Sequence, residues 1–262
     1  MPTATVKSNG AEIPSIGFGT WELRGQVAFR AVSAALDAGY RHIDTAAMYG
    51  NEAEVGKAVR LHAAARADIF ITTKVWPSEA GDGPFQRSAE ASLKRLDIDM
   101  IDLLLIHWPS PSVPIKEQIH TLCDARRRGL TRHIGISNFA AELVEQAVSF
   151  ADAPLVTNQI EHNPWVDQNT TIMACARHGL SVTSHSPLGK ARRLTDPVIA
   201  DIARAKGATP AQVVLRWHML QPMNIAIPRS SNPARIRENI GIFDFELSSE
   251  EMRSISSLAR RG

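Results

Sequence analysis

The chain has 262 residues, 44% of them hydrophobic, and its 29 basic and 27 acidic side chains leave a formal net charge of +2. That length suits two small domains or one α/β barrel, and the near-balance of charge argues against a nucleic-acid-binding stripe or a polybasic membrane patch. Because no apolar leader opens the chain and no apolar run approaches ~18 residues, we expect a soluble, cytoplasmic protein.

The chain opens with "TVKSNGAEIP", in which Asn-Gly between two short extended pieces predicts a β-hairpin. After it, apolar segments typical of buried strands alternate with segments whose apolar residues recur every 3.6 positions. The predicted strands are 15–20, 41–46, 69–76, 100–108, 132–138, 155–161, 180–186 and 223–229. The predicted helices are 26–38, 52–65, 84–96, 114–129, 140–149, 168–179, 195–206 and 210–221, with a last one near 248–260.

This alternation of strands and helices over about 250 residues predicts a (β/α)8 TIM barrel preceded by the β-hairpin. A doubly wound sheet is the competing fold, and its dinucleotide fingerprint would be G-x-G-x-x-G after the first strand. The segment "GFGTWE" supplies Gly17 and Gly19 but has Glu22 in the third position. Since no linker divides the chain, we expect residues 1–262 to form a single barrel domain.

Polar side chains stand at the carboxyl ends of consecutive predicted strands. Asp44 ends the second strand with Tyr49 shortly after it, Lys74 ends the third, and His107 ends the fourth. The next two strands end with Ser137, Asn138, Gln159 and Glu161. A helix cap, a structural ion pair and a core histidine would explain Asp44, Lys74 and His107 singly. Together they favour an active site, because a buried ion pair adds little net stability and barrel enzymes react at this face.

These side chains suit the reduction of a carbonyl group. A lysine ammonium held by Asp44 would lower the pKa of a phenol from about 10, so that Tyr49 could protonate a carbonyl oxygen. A neutral His107 could donate a second hydrogen bond. Neither a serine nucleophile with its base nor a compact metal-ligand set is visible, and Cys123 and Cys175 have no redox spacing. A cofactor must therefore supply the hydride.

Seven stretches resemble the aldo-keto reductase superfamily. In chain order they are "GYRHIDTAAMYGNE", "FITTKVW", "LLIHWPSP", "GISNF", "NQIEHNP", "SPLGK" and "IPRSSNPARIRENI". Within the superfamily the chain is most similar to bacterial 2,5-diketo-D-gluconate and methylglyoxal reductases. The resemblance implies NADPH-dependent reduction of aldehydes and ketones, on substrates such as small α-dicarbonyls or keto-sugars, by a (β/α)8 barrel with the cofactor extended across its mouth.

The resemblance also implies residue roles. Its catalytic tetrad falls on Asp44, Tyr49, Lys74 and His107. Thr20 and Trp21 would line the cofactor or substrate side, and Trp108 the substrate pocket. The implied contacts to the nicotinamide are Ser137, Asn138, Gln159 and His185, and those to the pyrophosphate are Ser186, Pro187, Leu188 and Gly189. The adenosine and 2′-phosphate end falls on Arg229, Ser230, Arg235, Glu238 and Asn239.

Three features differ from the family pattern. His185 stands where an aromatic ring, often tyrosine, stacks on the nicotinamide, and we interpret it as a flat ring in the same role; the alternative is an altered cofactor hold or a group that titrates near neutrality. Arg229 replaces a frequent lysine, and we expect it to converge with Arg235 on a phosphate. The sequence ends at Gly262 without the long segment that covers the substrate in larger relatives, so we expect an open site with broad specificity.

Two other classes of function stay open at this point. One is a nicotinamide-binding, redox-sensing or regulatory subunit with little turnover. The other is a phosphate-handling barrel isomerase or aldolase in which Lys74 forms a Schiff base, although Asp44 and Tyr49 would then have no role. For the reductase we expect a monomer with a small-molecule carbonyl substrate and no metal, nucleic-acid or membrane partner.

Overall fold

The amino-terminal hairpin is present in the computed structural model of the chain, which describes residues 4–261. Strands β1 (Thr5–Ser8) and β2 (Ala11–Pro14) pair antiparallel around Asn9 and Gly10, whose φ angles of 45° and 86° suit a primed turn. The Ser8 hydroxyl donates to the carbonyl of Val156 at 2.5 Å. The hairpin thus covers the amino-terminal end of the barrel and leaves the opposite end open.

Eight parallel strands follow in chain order, each hydrogen-bonded to the next. They are β3 (Phe18–Gly19), β4 (His42–Asp44), β5 (Phe70–Val75), β6 (Ile101–Ile106), β7 (Thr131–Ser137), β8 (Leu155–Glu161), β9 (Ser181–His185) and β10 (Asn224–Ala226). A parallel bridge between Ile16 and Ala226 joins the first strand to the last. The predicted (β/α)8 fold with its hairpin is confirmed.

The helices surround this barrel. They are α1 (Gly25–Asp37), α2 (Glu52–Leu61), α3 (Pro84–Leu96), α4 (Ile115–Arg127), α5 (Ala141–Phe150), α6 (Asn169–Arg177), α7 (Pro197–Lys206), α8 (Pro210–Met219), α9 (Pro233–Ile240) and α10 (Ser249–Ser256). Both α7 and α8 lie between β9 and β10, so this connection holds one helix more than the simple repeat. Within residues 4–261, no helix combines the length and the apolar character needed to cross a bilayer.

The last predicted strand is shorter than expected. It was predicted over 223–229, but β10 ends at Ala226 and Pro228 follows two residues later. Pro228 has no amide hydrogen to extend a ladder. Its carbonyl instead accepts a hydrogen bond from the Gly19 amide at 3.0 Å. A Cβ atom on Gly19 would lie 2.8 Å from the Ile227 carbonyl oxygen, so glycine permits the first and last strands to meet at the mouth.

Candidate active site

A buried ion pair joins the carboxyl ends of β4 and β5. Lys74 Nζ lies 2.6 Å from Asp44 Oδ1, and the two side chains are 0% and 2% exposed. The ammonium also donates to the Thr45 carbonyl at 2.8 Å and to the Tyr49 hydroxyl at 3.3 Å. The other carboxylate oxygen, Asp44 Oδ2, accepts from Gln159 Nε2 at 2.7 Å. Each charge is therefore hydrogen-bonded on several sides, as a buried ion pair requires.

The Lys74 ammonium remains charged in this setting. Burial lowers the pKa of Lys74, but Asp44 and then Tyr49 raise it by more, so that its pKa lies above the ordinary lysine value. The interpretation of Asp44 as a helix cap is wrong, since its two oxygens bind Lys74 and Gln159.

Tyr49 lies in a short turn, Ala47–Tyr49, that ends at Gly50 with a φ of 65°. Burial raises the pKa of the Tyr49 phenol, the Lys74 ammonium lowers it, and Asp44 raises it, with a net increase above the ordinary value. The sequence led us to expect a net decrease. The lysine acts in the expected direction, but desolvation of the half-buried phenol outweighs it.

His107 lies beside the phenol at the end of β6. Its ring centroid is 5.6 Å from that of Tyr49, with the rings edge to face. Burial, followed by the charge of Lys74, lowers the pKa of His107 to about 3, so the imidazole is neutral at pH 7. Its Nδ1 atom is buried without a hydrogen-bond partner among residues 4–261. A fully satisfied core histidine would not leave this atom unpaired.

Exposed apolar side chains form the rim above these groups. Trp21 is 44% exposed, Met48 41% and Trp108 46%, and the Trp21 ring lies 4.9 Å from the Tyr49 ring. Trp76 also lies beside these groups, with its ring 5.1 Å from that of His107. Trp76 was not predicted from the sequence as a site residue. Its position two residues after Lys74, on the same face of an extended segment, was the available signal.

Asn51 was also missed. Its side chain is buried and donates to the carbonyls of Thr20 and Leu23, each at 2.9 Å, while its oxygen accepts from the Thr45 hydroxyl at 2.7 Å. One amide thereby ties the loop after β3 to the loop after β4. These loops carry Trp21 and Tyr49, so Asn51 fixes the rim against the phenol.

The ends of β7, β8 and β9 bring together the residues expected at the nicotinamide. The Ser137 hydroxyl donates to the Gln159 carbonyl at 2.8 Å. Asn138 Nδ2 lies 3.0 Å from the His107 carbonyl and 3.0 Å from Ser137 Oγ, and its Oδ1 lies 3.1 Å from His185 Nε2. Burial, followed by Lys74, lowers the pKa of His185 to about 4. The alternative that His185 titrates near neutrality is therefore wrong.

Two backbone carbonyls of the loop Ser186–Gly189 are hydrogen-bonded to buried side chains. The Ser186 carbonyl accepts from Asn163 Nδ2 at 3.3 Å, and the Pro187 carbonyl lies 3.2 Å from Nε2 of the buried His218. Both carbonyls therefore bond to side chains packed against the loop. Neither Asn163 nor His218 was predicted from the sequence.

The far end of the mouth differs from the expectation in detail. Arg229 is paired with Glu22 across the junction of the first and last strands, and both side chains are well exposed. Asn232 caps α9, since its Oδ1 accepts from the amides of Ala234 at 2.8 Å and Arg235 at 3.3 Å. The exposed Arg235 makes no ion pair within residues 4–261. The predicted convergence of Arg229 with Arg235 is thus replaced by an Arg229–Glu22 pair.

Three residues expected to contact the cofactor are buried or hydrogen-bonded within the protein. Thr20 has no exposed surface, and its hydroxyl donates to the Asp44 carbonyl at 3.0 Å. Asn239 is 5% exposed. Glu238 accepts a hydrogen bond from the Thr209 hydroxyl at 2.8 Å at the start of α8. Burial removes Thr20 from direct contact with a ligand and leaves it as a support for the Asp44 backbone.

Comparison with known proteins shows the family of the chain. The sequence profile of the Aldo/keto reductase family matches residues 15–260. An aldo-keto reductase of Mycolicibacterium smegmatis is 43% identical over 252 residues, which cover 96% of this chain and 91% of that protein.

Solved structures agree as well. A crystal structure provisionally assigned as a 2,5-diketo-D-gluconic acid reductase B has a TM-score of 0.96 and 43% identity, over 98% of this chain and 91% of that one. An aldo-keto reductase of Bombyx mori, solved in complex with NADP, has a TM-score of 0.91 and 33% identity, over 98% of this chain and 93% of that one.

The buried ion pair can be tested by removing one charge and then both. Lys74→Met leaves the Asp44 carboxylate buried without a counter-charge, so we expect the free energy of unfolding to fall by about 3–5 kcal/mol. The double variant Asp44→Asn/Lys74→Met should recover much of this loss. Urea unfolding at pH 7 measures both values. A single variant as stable as the wild type would show that the two charges do not depend on each other.

Proposed function

The chain belongs to the aldo/keto reductase family, whose members use NADP(H) to reduce carbonyl groups, and we propose that it reduces small aldehydes and ketones with Tyr49 as the proton donor. The observation that carries this proposal is the contact chain from Asp44 through Lys74 to the Tyr49 hydroxyl, 2.6 and 3.3 Å long, at the open end of the barrel. Bound NADPH supplies the hydride for such a reduction.

Each member of the tetrad has a physical role in this proposal. The raised pKa of Tyr49 keeps the phenol protonated at neutral pH, so it holds a proton to donate. As negative charge develops on the carbonyl oxygen, the proton moves to that oxygen and the Lys74 ammonium stabilises the phenolate left behind. Asp44 keeps Lys74 charged and in place. Neutral His107 supplies a second hydrogen bond without adding a charge to the pocket.

The polar groups at the mouth suit a dinucleotide. The partly exposed Asn138 oxygen can accept from a carboxamide NH2 with its second lone pair, and the flat ring of His185 lies beside it. The loop Ser186–Gly189 keeps two carbonyls bonded inward, which suits a neighbouring pyrophosphate. Arg235 supplies a guanidinium for a 2′-phosphate. The first amides of α9 already donate to Asn232. The Arg235 guanidinium, rather than these amides, would therefore bind the 2′-phosphate.

We propose small α-dicarbonyls, such as methylglyoxal, and keto-sugars as the substrate class. The rim is apolar and exposed at Trp21, Met48 and Trp108, so the rim itself offers few polar groups with which to reject analogues. We also propose that the whole chain forms one domain, since the family profile and the closed barrel both span nearly all of it. The monomeric state and the cytoplasmic location stay predictions.

The proton donor is tested by Tyr49→Phe, with Tyr40→Phe as the matched control. Tyr40 is the chain's other tyrosine and is buried, with its hydroxyl 3.3 Å from the Ile236 carbonyl. We expect Tyr49→Phe to fold and to bind NADPH but to lose about 10²–10⁴-fold in kcat, while Tyr40→Phe keeps its activity. Wild-type turnover by a folded Tyr49→Phe protein would refute the assignment.

The substrate class is tested by NADPH oxidation at 340 nm against α-dicarbonyls, simple aldehydes, keto-sugars and bulky apolar ketones. We expect reduction across the small polar carbonyls, with methylglyoxal among the better substrates. A strong preference for bulky ketones without activity on small dicarbonyls would overturn the substrate class. Tight NADPH binding without turnover of any carbonyl would favour the regulatory-subunit alternative instead.

Cofactor choice is tested at Arg235, with the exposed Arg237 of the same helix as the control. A charge-assisted hydrogen bond is worth about 1.5–3 kcal/mol, so Arg235→Ala should weaken NADPH binding by roughly 10- to 150-fold. NADH binding and both affinities of Arg237→Ala should change little. Fluorescence titration measures these constants. Equal losses for NADPH and NADH in Arg235→Ala would show that Arg235 does not bind the 2′-phosphate.

A further inference from the structure

His185 presents a flat ring at the mouth and also forms a hydrogen bond to another side chain of the protein. It ends β9, is partly exposed, and has its Nε2 atom 3.1 Å from Asn138 Oδ1. Asn138 has a φ of 61°, in the left-handed region that asparagine tolerates better than most residues. Its amide lies between the ends of three strands, within hydrogen-bond distance of His107, Ser137 and His185.

The direction of each hydrogen bond follows from its partners. The His107 carbonyl can only accept, so the Asn138 atom 3.0 Å from it is the NH2 group. Ser137 Oγ donates to the Gln159 carbonyl and therefore accepts from the same NH2 group. The amide oxygen of Asn138 must then face His185, so His185 Nε2 carries the hydrogen and donates.

The protonation state of His185 agrees with this assignment. The charged or titratable groups that act on its imidazole are Lys74, Asp44, Lys190 and His107. Burial and the two lysines favour the neutral ring, which carries one hydrogen. With that hydrogen on Nε2, the Nδ1 atom is an acceptor and faces the Ser186 hydroxyl at 3.4 Å.

We propose that His185 is a positioning residue whose Nε2–H holds the Asn138 amide in the orientation that joins the His107 backbone to Ser137. The ends of β6, β7 and β9 are thereby aligned at the mouth. Without this donor the amide oxygen would lose its partner, and the amide could rotate away from the His107 carbonyl. For its effect on turnover this inference rests on the reductase function proposed above, whereas the hydrogen bond itself does not.

Two substitutions separate the hydrogen bond from the ring. His185→Phe keeps a flat ring without a donor, and His185→Gln keeps an amide donor near the Nε2 position without a ring. We expect His185→Phe to lower kcat by about tenfold, the value of one hydrogen bond, and His185→Gln to have at least about three times the kcat of His185→Phe because it keeps the donor. Full activity in His185→Phe with a loss in His185→Gln would show that only the ring matters, and would overturn the inference.

The same His185 variants, made in a protein that also carries Asn138→Gly, test whether His185 acts through Asn138. Asn138→Gly removes the amide and accepts the positive φ without strain. In this background the Phe and Gln variants at His185 should have equal kcat within about twofold. If His185→Phe still lowers kcat tenfold below His185→Gln there, then His185 acts independently of Asn138 and the inference is wrong.

A direct observation needs no turnover. Long-range 1H–15N correlation spectra at pH 7 report which imidazole nitrogen carries the hydrogen, and the His185 pattern is assigned by its absence in His185→Phe. We expect the Nε2–H form in the wild type. An Nδ1–H form or an imidazolium would overturn the inference. A wild type without carbonyl reduction would refute the reductase proposal instead, and the spectra would still decide the hydrogen bond.

Discussion

The active end of this barrel depends on a pair of opposite charges that water does not reach. Burying Lys74 and Asp44 carries a large desolvation cost, which only close contact and full hydrogen bonding can offset. The fold meets that demand by placing the two residues on adjacent strands, 2.6 Å apart, with Thr45 and Gln159 on their remaining sides. The Lys74 ammonium donates its third hydrogen bond to the Tyr49 hydroxyl. A change in any of these partners disturbs the others.

The same lack of water sets the protonation states around the pair. Burial raises the pKa of Tyr49 and lowers the pKa values of His107 and His185 to about 3 and 4. At neutral pH the mouth therefore presents a protonated phenol and two neutral imidazoles above a single ion pair. In the proposed reaction the phenol holds its proton until charge develops on the substrate, and the nearby ammonium then stabilises the phenolate.

Much of this site could be predicted from sequence, because strand ends in a parallel barrel meet at one face. That rule was enough to bring Asp44, Lys74 and His107 together. It could not show that burial outweighs Lys74 at Tyr49, since desolvation depends on packing that no local pattern reports. The Glu22–Arg229 pair joins residues 207 positions apart and replaced an expected contact to phosphate. The supporting role of Asn51 was hidden for the same reason, because its partners lie on another loop.

The central claim is that the Lys74 ammonium stabilises the Tyr49 phenolate, and a spectroscopic titration tests it without substrate or cofactor. The chain has only two tyrosines, and burial holds the pKa of Tyr40 far above the ordinary range, so the first rise in phenolate absorbance near 295 nm reports Tyr49. The account predicts that this rise occurs at a lower pH in the wild type than in Lys74→Met. Equal titration midpoints, or a lower midpoint in Lys74→Met, would contradict it.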